Sequence, residues 1–154
     1  MEIADLLSPD AVLAHVKAST KKQVLQEMAH KAAMLTQLPE RRIFEILTER
    51  EKLGSTGMGQ GIAIPHGRVA GVEKMTGLFA QLDHPVDFDS MDDQPVDLVF
   101  LLLAPEGAGA DHLKALARVS RLLRNQTICE KLRAAPQAAT LYALLTEPSA
   151  AQAA

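Results

Sequence analysis

Along the chain the hydrophobic pattern switches between a period near two and a period near 3.6, which predicts strands alternating with helices. Val12, Ala14 and Val16 alternate within residues 11 to 17 and predict a short strand. Thr20 then suits a helix N-cap, and Val24, Met28, Ala32 and Leu35 lie along one face of a helix over residues 21 to 36. Pro39 suits the first turn of the next helix, which runs to Leu53, buries Ile43, Phe44 and Leu47, and ends at Gly54. After the stretch GSTGMGQG, the apolar run IAIPHGRV reads as a strand, as do residues 75 to 82 and 95 to 103. The last of these is apolar enough to lie centrally with both faces covered. Between them DHPVDFDSMDDQ predicts a turn with a short edge strand. A long helix over residues 111 to 124 is expected to bury Leu113, Leu116, Ala117, Ser120 and Leu123, and shorter helices follow near 126 to 134 and 136 to 146.

Alternating elements of this kind predict an α/β domain whose sheet is sandwiched between helical layers (α/β/α). The short links around residues 83 to 95 suggest at least one antiparallel pair, so a mixed sheet is expected. A chain of 154 residues fits one domain, placed at residues 1–147, and is long enough to bury a core without disulfides or metal. The small, uncharged end, residues 148–154, reads as a disordered tail.

Composition removes several functions. There is one Tyr and no Trp, so the chain lacks a platform for stacking single-stranded bases. A net charge of −3 gives little attraction to nucleic acid or acidic lipid. No apolar run is long enough to span a membrane. The single Cys129 has no internal disulfide partner, and the N-terminal segment MEIADLLSPD lacks the features of a signal peptide. A reducing, cytoplasmic home is expected, with no membrane insertion and no nucleic-acid partner.

The glycines of residues 54 to 61 suggest a phosphate loop, but a P-loop ends in Gly-Lys-Ser/Thr, and no lysine lies between Lys52 and Lys74. The order is also reversed: nucleotide loops run strand, glycines, helix, whereas here a helix precedes and a strand follows. A tight connection allowing positive φ, with backbone N–H groups near an anion, is the reading that remains. His66 sits between Pro65 and Gly67, where the apolar strand is expected to leave the sheet. Spacing alone leaves two readings open for it: a hydrogen-bonded strand-end histidine, or a reachable reactive imidazole that Arg68, two residues on, faces from the same side. His112 opens the long helix, whose N-terminus favours a phosphoryl group, although spacing alone favours a plain first-turn residue. His15, His30 and His84 read as solvated. Zinc wants three or four ligands, and there is no HExxH, no Cys pair and no evident third ligand. No G-x-S-x-G or comparable cysteine context marks a hydrolase.

The segment REKLGSTGMGQGIAIPHGR (Arg50 to Arg68) resembles the active-site signature of the fructose/mannitol-type IIA domains of the bacterial phosphotransferase system, most closely the nitrogen-regulatory IIA proteins. The stretch from His84 to Leu123 follows the same pattern, and the likeness covers the chain up to its tail. It implies that His66 accepts a phosphoryl group and that His112 is the second active-site histidine. It also implies that Arg50 helps bind the group; Arg68, from its spacing, and Thr56 are added as candidate supporting residues. Some sugar-transporting members carry an acid where this chain has Gln60, so no acid-based role is carried over to that position. The implied donor is an HPr-like phosphocarrier, itself charged from phosphoenolpyruvate by enzyme I, and no metal or other cofactor is implied. The implied targets are regulatory proteins of potassium transport or nitrogen control. The competing class is a binding domain that acts through protein contacts alone and is never phosphorylated.

Overall fold

A computed structural model describes residues 1–147; the tail expected at 148–154 lies outside the described residues. Helix α1 (Ile3–Leu6) and a single 3-10 turn lead into strand β1 (Val12–Val16). Helices α2 (Lys21–Thr36) and α3 (Glu40–Lys52) follow. Thr20 caps α2 as expected, its hydroxyl accepting from the Gln23 N–H. Strands β2 (Gly57–Gly59), β3 (Ile62–Ala63), β4 (His66–Arg68), β5 (Thr76–Val86) and β6 (Val96–Ala104) come next. Helices α4 (Ala110–Leu123), α5 (Gln126–Ala134) and α6 (Ala138–Thr146) complete the chain.

The sheet is mixed, and β6 is its centre. Antiparallel β5 lies along one edge of β6, and β3 and β4 lie end to end along the other, both parallel to it. β1 adds outside β5 in parallel, and β2 adds outside β3 in antiparallel. Helices α2 and α3 pack together against β5 and β4, whereas α4 packs on β6 and α6 on β1. The residues of β6 from Leu98 to Ala104 are fully buried, which accounts for their unbroken apolar run. Among the described residues no helix is long and apolar enough to cross a membrane.

Four sequence expectations need correction. The IAIPHGRV run is two strands, because Pro65 has no N–H for the ladder. Its carbonyl still accepts from Leu102, so the chain stays beside β6 and His66 opens β4 instead of ending a strand. Strand β5 continues to Val86, which pairs with Val96 after a register shift, so the turn occupies only residues 87 to 95. Phe44 is only half-buried. Finally, α4 buries His112, Ala115, Val119, Leu122 and Leu123, whereas Leu113 is 70% exposed and Ala117 is exposed. Positions 112, 115, 119, 122 and positions 113, 116, 120, 123 have identical helical spacing, so periodicity fits either stripe. The helix carries two adjoining apolar stripes, and only packing decides which one faces the sheet.

Candidate functional site

Two close approaches of the backbone build the site. In the β2–β3 hairpin the two loop residues, Gln60 and Gly61, have φ of 58° and 83°, as a primed two-residue turn requires. Asp92 accepts from the Gln60 N–H, and Arg133 donates to the Gln60 carbonyl, so the turn is clamped from both sides. On β4, a Cβ at Gly67 would lie 2.6 Å from Ile46 Cγ2 of α3. Glycine therefore lets α3 lie against the strand. Side chains alternate along a strand, so His66 and Arg68 point away from Ile46, to the side on which α4 begins.

There four of the five residues expected from the sequence meet: Arg50, His66, Arg68 and His112. Arg50, in the last turn of α3, donates from Nε to His66 Nε2 at 3.3 Å and from Nη1 to the Gly54 carbonyl at 2.8 Å. His66 Nδ1 lies 2.9 Å from the Ile64 carbonyl oxygen. A guanidinium only donates and a carbonyl only accepts, so the proton is on Nδ1 and Nε2 presents its lone pair. The His112 ring stands edge-on to that of His66, with centroids 5.4 Å apart and planes at 75°. Arg68 Nε donates to His112 Nδ1 at 3.4 Å. His112 Nε2 is buried and has no hydrogen-bond partner among the described residues.

The local field favours neutral rings. Burial, chiefly, holds the pKa of His66 below the usual histidine value; the Arg50 charge adds to this, while the Ile64 carbonyl and Glu51 oppose it. His112 is lowered by burial first, then by His66 and Arg68. Both rings are thus biased toward the uncharged form, and the Nε2 lone pair of His66 lies against the Arg50 guanidinium.

His66 lines a cavity of about 390 Å³ together with Arg50, Thr56, Met58, Ile64 and Leu116. Leu113 and Met58 stand exposed on elements flanking it, and Leu53 at the end of α3 is 85% exposed. Among the apolar residues around the glycine loop, Met58 is exposed, whereas Ile62 and Ile64 are buried. His15, His30 and His84 are exposed and do not line the cavity.

Thr56 lines the cavity, yet its hydroxyl is donated to Glu51. The Thr56 N–H is likewise held by Glu51, and that of Gly57 by the Ser55 hydroxyl. These two loop N–H groups are thus satisfied internally and are not free to meet an anion. Glu51 itself was not expected. Its carboxylate is 6% exposed and pairs with Lys21 at 2.7 Å, tying α2, α3 and the glycine loop together. A signal existed: an acid in the last turn of a helix opposes the macrodipole and calls for a partner.

Comparison with known proteins places this geometry. The family model described as phosphoenolpyruvate-dependent sugar phosphotransferase system, EIIA 2, matches residues 5–147. A nitrogen regulatory protein of Bradyrhizobium diazoefficiens is 61% identical over 150 residues, covering 97% of this chain and 98% of its own length. The crystal structure of nitrogen regulatory protein IIA-Ntr from Neisseria meningitidis superposes with a TM-score of 0.88 at 39% identity, over 94% of this chain and 99% of that one. The mannitol IIA structure from Escherichia coli shares the fold, with a TM-score of 0.76 at 23% identity over 90% and 97% of the two chains. Its sheet, its signature segment and these matches agree: the chain belongs to the EIIA 2 family of the phosphotransferase system, among the nitrogen-regulatory IIA proteins.

Proposed function

We propose that this chain is a cytoplasmic phosphohistidine carrier of the nitrogen-related phosphotransferase system, which accepts a phosphoryl group from an HPr-like protein on His66 and signals through its phosphorylation state. The observation that carries the reading is the unprotonated His66 Nε2, held against the Arg50 guanidinium with the His112 ring edge-on at 5.4 Å.

In the step, the lone pair of His66 Nε2 forms a bond to phosphorus as the nitrogen–phosphorus bond of the donor histidine breaks. The bonding pair of that broken bond returns to the donor nitrogen. Phosphoryl transfer of this kind asks the protein for in-line positioning and for stabilisation of three outer oxygens. Arg50 supplies charge and N–H donors, and His112 supplies its Nε2–H. Exposed Met58, Leu53 and Leu113 form the apolar rim against which the donor packs. Once formed, the phosphohistidine places about two negative charges where a neutral ring stood, enough to create or abolish a partner surface. Regulatory proteins of potassium transport or nitrogen control are the targets this switch would address.

Incubation with phosphoenolpyruvate, enzyme I and an HPr-like carrier, followed by mass spectrometry, tests the reading. Acid-labile phosphate on the wild type, none on His66→Ala and slow labelling of His112→Ala are expected. An unlabelled wild type would leave a domain that acts through protein contacts alone, and labelled His66→Ala would move the site elsewhere.

A further inference from the structure

We propose that Arg68 is a positioning residue that fixes the tautomer of His112 and so keeps the His112 Nε2–H aimed at the phosphoryl group on His66. The inference rests on the function proposed above but is read from different atoms. Arg68 and His66 are two apart on β4 and share the face turned toward α4. Arg68 Nε lies 3.4 Å from His112 Nδ1. A guanidinium has no lone pair to accept with, so this contact exists only while Nδ1 is unprotonated. In the opposite tautomer two N–H groups would face each other. The proton is thereby held on Nε2.

That nitrogen is buried and has no protein partner among the described residues. A buried donor without an acceptor is disfavoured and rare in native proteins, unless a ligand completes it. The edge-on neighbour at 5.4 Å is the His66 ring, so an oxygen on His66 Nε2 is the acceptor that this arrangement awaits. Burial and the Arg68 charge both oppose a second proton on His112, which keeps Nδ1 open for the guanidinium. Arg68 thus fixes the tautomer of His112 from the side of the ring remote from Nε2. On His66 the Ile64 carbonyl holds the proton on Nδ1 and Arg50 meets Nε2 directly, whereas on His112 Arg68 meets Nδ1 and leaves the proton on Nε2.

Two measurements test this. Long-range 1H–15N spectra of the unphosphorylated protein should show His112 as the Nε2–H tautomer, with an Nδ1–H population arising in Arg68→Ala and receding in Arg68→Lys. Phosphoryl transfer to Arg68→Ala should slow about 2- to 10-fold, the worth of one hydrogen bond. Because Arg68 acts through His112, the same substitution in a His112→Ala background should add no further slowing. An unchanged nitrogen pattern in Arg68→Ala would overturn the proposal. So would equal slowing in both backgrounds, which would make Arg68 a direct ligand of the phosphoryl oxygens. The spectra need no phosphorylation, so an unlabelled wild type would defeat the carrier reading while leaving this one separately measured.

Discussion

Gly67→Ala probes how far the packing of α3 sets the geometry at His66. The new Cβ would sit 2.6 Å from Ile46 Cγ2, whereas carbon atoms rest at about 3.5–4.0 Å. About 1 Å must therefore be found by moving β4 and α3 apart. Overpacking of this size costs about 1–3 kcal/mol, or roughly 2–12 °C in Tm for a chain of this length. The displacement also reaches the chemistry, because Ile46 lies one helical turn before Arg50 and Gly67 lies beside His66. A shift of about 1 Å between reacting groups slows a reaction by as much as ~10²-fold. Thermal unfolding and the rate of labelling by an HPr-like donor would be measured for Gly67→Ala, Ile46→Ala and the double variant. Removing Cγ2 should relieve the clash, so the double variant should be more stable than the two single losses sum to, and faster than Gly67→Ala alone. A Gly67→Ala protein with unchanged Tm, or losses that simply add, would refute the packing argument.

Arg50→Ala should slow labelling on the order of 10²-fold by removing a charged donor, with Arg50→Lys recovering only part because the Gly54 carbonyl contact needs the fork; equal rates for all three proteins would argue against its role. His66 and His112 both titrate below the unfolded value of about 6.5. The unfolded chain therefore binds more protons below that pH, and the stability from these two rings, fully present above it, is lost as pH falls. Denaturation midpoints should drop less steeply between pH 7 and 5 in His112→Gln than in the wild type, and a steeper drop would reverse the sign argued here. Lys21→Met leaves the buried Glu51 carboxylate without its cation, which should cost about 3 kcal/mol and roughly 6–12 °C in Tm. Adding Glu51→Gln should recover part of that loss in a thermal melt.

Much of the fold could be read from periodicity, because long elements with one buried face leave regular patterns. The Thr20 cap, the extent of α2 and the central place of β6 are of this kind. What escaped reading depended on partners remote in sequence. The choice between the two apolar stripes of α4 is made by the sheet beneath it, and the break at Pro65 is bridged only because Leu102 waits alongside. Arg50, His66 and His112 were marked by a motif, and the structure brings them together with Arg68. Their division of labour could not be read, since it follows from which ring nitrogen each guanidinium meets. Thr56 was expected to face the phosphoryl group. Its hydroxyl instead serves Glu51, a residue whose meaning appears only when α2 supplies Lys21.

The central claim is that His66 offers Nε2 to an incoming phosphoryl group. Nitrogen-15 spectra of the protein after labelling by the HPr-like donor test it most directly. The account predicts phosphate on Nε2 of His66 with Nδ1 still protonated against the Ile64 carbonyl; phosphate on Nδ1, or on any other histidine, would contradict it.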